Sequence, residues 1–200
     1  MSELTPRERR HLRTKDAILE AARHIISESG IDGLSIRAIA ERIDYSPASL
    51  YEYFGSKEEI VVAVCLQGHE RLTLAVTAVP PTLPADEYLI AIGKAYITFA
   101  MQNPEHYLLM FTNPAFAGSP EEMGEEESSF SILLAAIQRG LDEGLFKRRV
   151  GYDLLEMAYT AWSVVHGISM LRLTYLTSSP VDFDTADHEV LRTVTNGLMR

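Results

Sequence analysis

Ser35 to Ile60 reads SIRAIAERIDYSPASLYEYFGSKEEI. Two short segments with apolar residues at helical spacing flank a tight polar break, and the second ends in Tyr51, Tyr53 and Phe54. Ser35 can accept hydrogen bonds from the N–H groups that open a helix, and Ile36, Ile39, Ala40 and Ile43 mark one face of it. Asp44 and Tyr45 form the break. Ser46 can cap the next helix with Pro47 in its first turn, where a missing N–H does no harm. At about 100° per residue, Leu50 and Phe54 share one face and anchor this helix to a core. Ala48, Tyr51 and Glu52 then fall outward, flanked by Ser49.

A short helix, a tight break and a second short helix with small residues at its exposed start make a helix-turn-helix arrangement. Small side chains at Ser46, Pro47, Ala48 and Ser49 let the backbone approach a major groove. A phenolic hydroxyl on a rigid ring, at Tyr51 and Tyr53, reaches a phosphate without adding charge. The competing reading packs both tyrosines between helices, and spacing alone leaves it open.

Outward from this stretch the pattern is helix after helix. In Thr14 to Ser29, Ile18, Ala22, Ile25 and Ile26 lie on one face, and Gly30 is the stop. Ser56, with Glu59 three residues on, is a capping box opening a helix that runs to about Val79. The run VPPTLP, Val79 to Pro84, cannot continue a helix and is the clearest internal boundary. Beyond it the spacing predicts helices at roughly 86–102, 104–112, 127–143, 151–176 and 184–199, with Pro114 to Gly124 as a loop. The acidic run Glu121 to Glu127 reads as a solvated loop and helix start. No strand alternation or internal repeat appears. The expected fold class is all-α, about nine helices, and the domains are taken as residues 1–60, which hold the helix-turn-helix, and residues 61–200, a helical bundle.

The net charge of −10 is unevenly placed. Residues 1–60 carry nine Lys/Arg against eleven Asp/Glu, and residues 61–200 carry nine against seventeen. Arg7, Arg9, Arg10, Arg13 and Lys15 face only Glu3 and Glu8 in the first fifteen residues, an arm able to follow a phosphate backbone. The single cysteine, Cys65, excludes an intrachain disulfide, and no Cys/His spacing resembles a zinc site, so neither metal nor cofactor is expected. No apolar run approaches the roughly 18 residues of a membrane span, and none follows the basic N-terminus. A cytoplasmic protein with no membrane partner is expected. Enzymatic chemistry is poorly supported: His69–Glu70 has no second histidine at i+4, and no glycine-rich phosphate loop or nucleophile motif is present.

The segments AILEAARHIISESGIDGLSIRAIAERI and YSPASLYEYFGSKEEI, with VVAV after them, resemble the TetR/AcrR family of transcriptional regulators over about Ala17 to Val64. The resemblance implies a three-helix DNA-binding domain on a helical ligand-binding and dimerisation domain. By position it makes Ser35 and Arg37 phosphate or base contacts, and Ser46, Pro47, Ala48 and Ser49 the groove-facing start of the recognition helix. Tyr51, Tyr53 and Lys57 become backbone contacts. Asp44 and Tyr45 stand where many members have Gly and then Val, although Asp tolerates the left-handed conformation better than most residues. Glu52 departs further, since it falls near phosphates unless it points aside or accepts from a cytosine amino group.

AWSVVHGISML, Ala161 to Leu171, resembles the Trp-His-Gly signature of one C-terminal class of these regulators, and NPEHYLLMF, Asn103 to Phe111, agrees with it. Tyr96, Phe99, Tyr107, Met110, Phe111, Trp162, His166 and Met170 are aromatic or soft residues on neighbouring predicted helices. Such residues can line a cavity for an apolar effector, or simply fill a core in which Gly167 serves close helix packing. Met157, Ala161, Val164, Val165 and Ile168 on one late helix, with Val190, Leu191, Val194 and Leu198 on the last, offer a homodimer interface. The expected function is a ligand-responsive repressor that binds a palindromic DNA operator as a dimer. The alternative is a helical protein-interaction module.

Overall fold

The structure, a computed structural model, describes residues 4–113 and 128–199. Among these residues the chain forms nine helices and no strand; the one β pairing is an isolated bridge between Arg149 and Tyr152. The expected loop at Pro114 to Gly124 and the acidic run to Glu127 lie outside the described residues. The helices fall into two compact units. The first runs up to Gly68 and takes in the segment from Glu105; the second runs from His69 to Pro104 and holds the C-terminal helices.

Helix α1, Pro6–Gly33, starts eight residues before the predicted start at Thr14. Thr5–Glu8 is a reciprocal capping box: Glu8 N–H donates to Thr5 Oγ1 at 3.3 Å, and Thr5 N–H donates to Glu8 Oε2 at 2.7 Å. The basic segment read as an arm is therefore helical. Gly30, at φ 70°, kinks the helix where a stop was expected, and one further turn follows. Ile18, Leu19, Ala22, Ile25 and Ile26 bury the inner face of α1.

Helix α2, Ile36–Arg42, is capped by Ser35, whose Oγ accepts from Ala38 N–H at 3.1 Å. It ends in the left-handed residue Asp44 at φ 56°, and Tyr45 N–H returns to Ala40 O at 2.9 Å. Helix α3, Pro47–Leu50, is capped by Ser46, and backbone bonds from Tyr53 and Phe54 to Leu50 O extend it as a turn. Leu34, Ile39, Ala40, Leu50 and Phe54 close with α1 into one core.

Helix α4, Lys57–Thr77, begins with Glu59 N–H bonded to Ser56 Oγ at 3.2 Å. The Glu59 carboxylate reaches back one residue further than a capping box requires, to Gly55 N–H at 2.7 Å. By length and composition α4 is apolar enough to cross a membrane, which the sequence reading did not expect. Its Ile60, Val61, Val64, Cys65, Leu72 and Val76 are instead buried in the protein. Burial pushes the Cys65 thiol up to about 11, so it is no nucleophile at neutral pH. Helix α6, Pro104–Thr112, packs with the first unit; a side-chain carbon on Gly68 would run into the thioether of Met110.

The second unit is built from α5, Ala85–Gln102, α7, Ser129–Asp142, α8, Leu154–Thr174, and α9, Phe183–Leu198. Arg139 on α7 holds the proline-rich boundary through donations to Pro81 O at 2.6 Å and Leu83 O at 2.5 Å. Gly144 and Gly151, both at φ 71°, turn the chain between α7 and α8. Phe146 folds back over Gly140, which leaves no room there for a side chain.

Two expectations need correction. Met157, Val165, Leu191 and Leu198, assigned to a face between copies, are buried within the second unit itself. A side chain on Gly167 would meet nothing within 4 Å, so this glycine serves no close packing among the described residues.

Candidate functional site

The first unit presents the start of α3 to solvent. Ser46 Oγ accepts from Ser49 N–H at 3.1 Å and lies 2.7 Å from Ser49 Oγ, so both hydroxyls are occupied in shaping the helix entrance. Pro47 and Ala48 are exposed and small. Tyr51 is 57% exposed, which removes the packing reading for this residue. Tyr53 is half-buried and stacks on His11 of α1, ring centroids 4.7 Å apart at 24°. For Tyr53 the packing reading therefore holds, at least for the ring.

The remaining sequence-derived positions are more engaged than expected. Ser35 is the cap of α2. Arg37 is exposed, with Nε donating to Glu41 Oε1 at 2.8 Å, a surface pair that water and salt screen. Lys57 Nζ donates to Ile31 O at 3.1 Å and so also ties the start of α4 to the end of α1. Glu52 is exposed.

What the sequence reading missed is the part α1 plays. Arg7, Arg10, His11 and Thr14 recur at i, i+3, i+4 and i+7, one helical face. On that face His11 stacks on Tyr53, and Thr14 Oγ1 lies 3.3 Å from Tyr45 Oη. Arg7, Arg10 and Arg13 form no ion pair or side-chain hydrogen bond among the described residues. These cations lie on a capped helix that also carries His11 and Thr14, rather than on an extended tail. The T-P-R-E run at Thr5–Glu8 is the signal that would have revealed it.

In the second unit the tryptophan lies in a polar-aromatic cluster. Trp162 Nε1–H points at Tyr96 Oη, 3.4 Å away, and the same hydroxyl is 3.4 Å from His166 Nδ1, both long contacts. Phe130 of α7, absent from the expected set, meets the indole edge-on at 6.0 Å. Burial lowers the His166 pKa, favouring the neutral ring. Phe99 is buried on α5 and Met170 half-buried on α8. Tyr107, Met110 and Phe111 belong to the first unit, where Tyr107 packs on Phe111 at 4.8 Å. The eight residues expected around one effector are thus divided between two units. Among the described residues no group of His, Cys, Asp and Glu is arranged to hold a metal ion.

A capped helix-turn-helix with an exposed helix start and flanking cations defines a DNA-binding protein with a separate helical unit. Comparison with known families agrees with that class. Residues 18–64 match the model of bacterial regulatory proteins of the tetR family, and residues 89–194 match that of the tetracyclin repressor-like C-terminal domain. The chain belongs to the tetR family: it is a DNA-binding transcriptional regulator and not an enzyme. The Trp-His-Gly class suggested by Ala161 to Leu171 stays a resemblance. The chain is 22% identical to the uncharacterized HTH-type transcriptional regulator Rv0681 of Mycobacterium tuberculosis, over 94% of this chain and 82% of that protein. It is 45% identical over 58 residues to the HTH-type transcriptional regulator UidR of Escherichia coli, 29% of this chain and 30% of that one. A bacterial regulatory protein of the tetR family from Rhodococcus RHA1 shares the fold at a TM-score of 0.70 and 22% identity, covering 90% of this chain and 96% of that one.

Proposed function

We propose that the chain is a cytoplasmic repressor that binds a palindromic operator as a homodimer and is released by a small, mainly apolar molecule. The observation that carries the DNA reading is the exposed start of α3, Pro47 and Ala48, with Tyr51 beyond it, together with Arg7, Arg10 and Arg13 of α1, which have no ion-pair partner among the described residues. Ala48 and Ser49 enter the major groove, Tyr51 and the α1 cations hold phosphates, and Arg37 exchanges Glu41 for a base edge or a phosphate. Ser35, Ser46 and Lys57 position these elements and add polar contacts to the backbone.

The dimer uses the faces of α8 and α9 left over by the core. Tyr159 and Leu171 are 62% and 52% exposed, Val190 is 41% exposed, and Gly167 and Gly197 open onto free space. Apolar side chains beside small residues suit two copies of a helix pair closing into a four-helix seam. Two-fold symmetry then sets two recognition helices about 34 Å apart, one turn of DNA.

The effector reading rests on the cluster of Trp162, Tyr96, His166 and Phe130, with Phe99 and Met170 on the same helices. A ligand releases DNA only if it favours one arrangement of the dimer over the other. Helix α4 is continuous from the first unit into the second and carries that preference. Trp162 is the only tryptophan, so its emission reports the cluster without labels. Apolar molecules should be screened for a change in that emission at the concentrations that release DNA. Trp162→Ala should then lower effector affinity and leave operator binding nearly intact. A folded, dimeric variant with unchanged effector affinity would remove Trp162 from the site.

A further inference from the structure

Three residues of α1 reach the helix-turn-helix. The His11 ring stacks on that of Tyr53 with centroids 4.7 Å apart, Thr14 Oγ1 lies 3.3 Å from Tyr45 Oη, and Lys15 Nζ stands over the Phe54 ring, 5.1 Å from its centroid. Thr14 is buried and Lys15 half-buried in these contacts, whereas His11 is exposed. The stack engages only the face of its ring. Among the described residues neither nitrogen of His11 takes part in a hydrogen bond or an ion pair.

A ring stack by itself asks for no histidine. Phenylalanine or tyrosine would cover Tyr53 with more apolar surface, and what histidine adds is an N–H at the ring edge. The surrounding charges give that N–H a use. Arg7 precedes His11 by one turn and Arg10 by one residue; both are exposed, and neither has an ion-pair partner among the described residues. The nearest acid along α1, Glu8, is committed to the Thr5 cap. Glu52, which precedes Tyr53, forms no ion pair with this face. The imidazole edge therefore stands between two cations of α1 and the element that carries the start of α3.

We propose that His11 is a phosphate contact of the DNA complex, its ring N–H held in place by the Tyr53 platform. This contact rests on the assignment of α3 to DNA and adds to it a donor on α1 that carries no fixed charge. Stacking orders the imidazole before DNA arrives, so the hydrogen bond forms without the cost of immobilising a free side chain. A donor to phosphate holds the duplex without reading its sequence.

The full chain is titrated at low salt into two fluorescein-labelled duplexes, one flanking its own gene and one of shuffled sequence, with binding read by anisotropy. His11→Phe keeps an aromatic ring on Tyr53 and removes the N–H; His11→Ala removes both. Each variant should bind both duplexes roughly fivefold more weakly than the parent for each chain engaged, the scale of one hydrogen bond. Circular dichroism checks that the variants are folded. Should His11→Phe not fold, His11→Gln decides in its place: it restores an N–H without the ring, and should bind more tightly than His11→Ala. A stack that serves structure alone gives the opposite pattern, with His11→Phe binding as the parent does or His11→Gln no better than His11→Ala, and either result would overturn the proposal. So would a loss confined to one of the two sequences. A parent chain that binds neither duplex removes the DNA reading and this contact with it, whereas a parent that binds both while a folded His11→Phe is unchanged removes the contact alone.

Discussion

Asp44 carries the sharpest single demand in the DNA-binding unit, because φ 56° is costly for any residue with a side chain and most costly for a β-branched one. Asp44→Val should lower the stability of the chain by about 1–2 kcal/mol in denaturant unfolding, while Asp44→Gly should be close to neutral. Tyr51 makes a different kind of prediction. Its exposed hydroxyl is expected to hold a phosphate, so Tyr51→Phe should weaken DNA binding by about 1 kcal/mol on every sequence alike, measured by fluorescence anisotropy. In the second unit, burial lowers the pKa of His166 below its ordinary 6.5. The unfolded chain therefore takes up a proton that the folded chain resists, and this contribution to stability is complete above pH 6.5 and declines as pH falls towards the folded-state value. Melting temperatures recorded from pH 7.5 down to 5.5 should fall less steeply for His166→Gln than for the parent. The Asp44 turn was readable from sequence because one residue type answers one backbone requirement. The His11–Tyr53 stack was not, because it joins residues far apart in the chain and neither carries a local signal of the other.

At the scale of elements, most helix starts were legible because Ser35, Ser46 and Ser56 each stand in front of an apolar period. The start of α1 was misplaced because a dense run of arginines suggested a solvated arm, while Thr5 and Glu8 had already supplied a cap. That difference has a measurable consequence. A helical segment fixes Arg7 and Arg10 relative to α3, so Arg7→Ala combined with Arg10→Ala removes up to four phosphate contacts per dimer. The slope of log affinity against log salt should become shallower by up to about 3.6 units. An unchanged slope would mean the segment stays clear of the duplex. Near the end of α7 the tight position is Gly140, whose missing side chain admits Phe146 from the turn that follows. Gly140→Ala should lower stability by about 1–3 kcal/mol, because the aromatic ring must leave its place.

Across the whole molecule, periodicity identified α8 and α9 as apolar helices but could not tell which residues each would turn inward. Helix α8 has apolar residues around most of its circumference, so Met157 and Val165 looked as available to a partner as Tyr159 and Leu171 are. Nor could periodicity say which unit would hold α6, which carries Tyr107, Met110 and Phe111 and packs with the first. Such assignments depend on tertiary packing, which spacing along one helix does not encode. The helix-turn-helix was legible because its caps, its left-handed turn and its small exposed residues all lie within Ser35 to Ile60. The central claim is that this chain reads DNA as a symmetric dimer. It is tested most directly by titrating the full chain into the duplex flanking its own gene, at several salt concentrations, with the mass of the complex read by analytical ultracentrifugation. The account predicts salt-sensitive binding of two chains to one palindromic site, lost when one half-site is scrambled. Binding of a single chain with no sequence preference, or none at low salt, would contradict it.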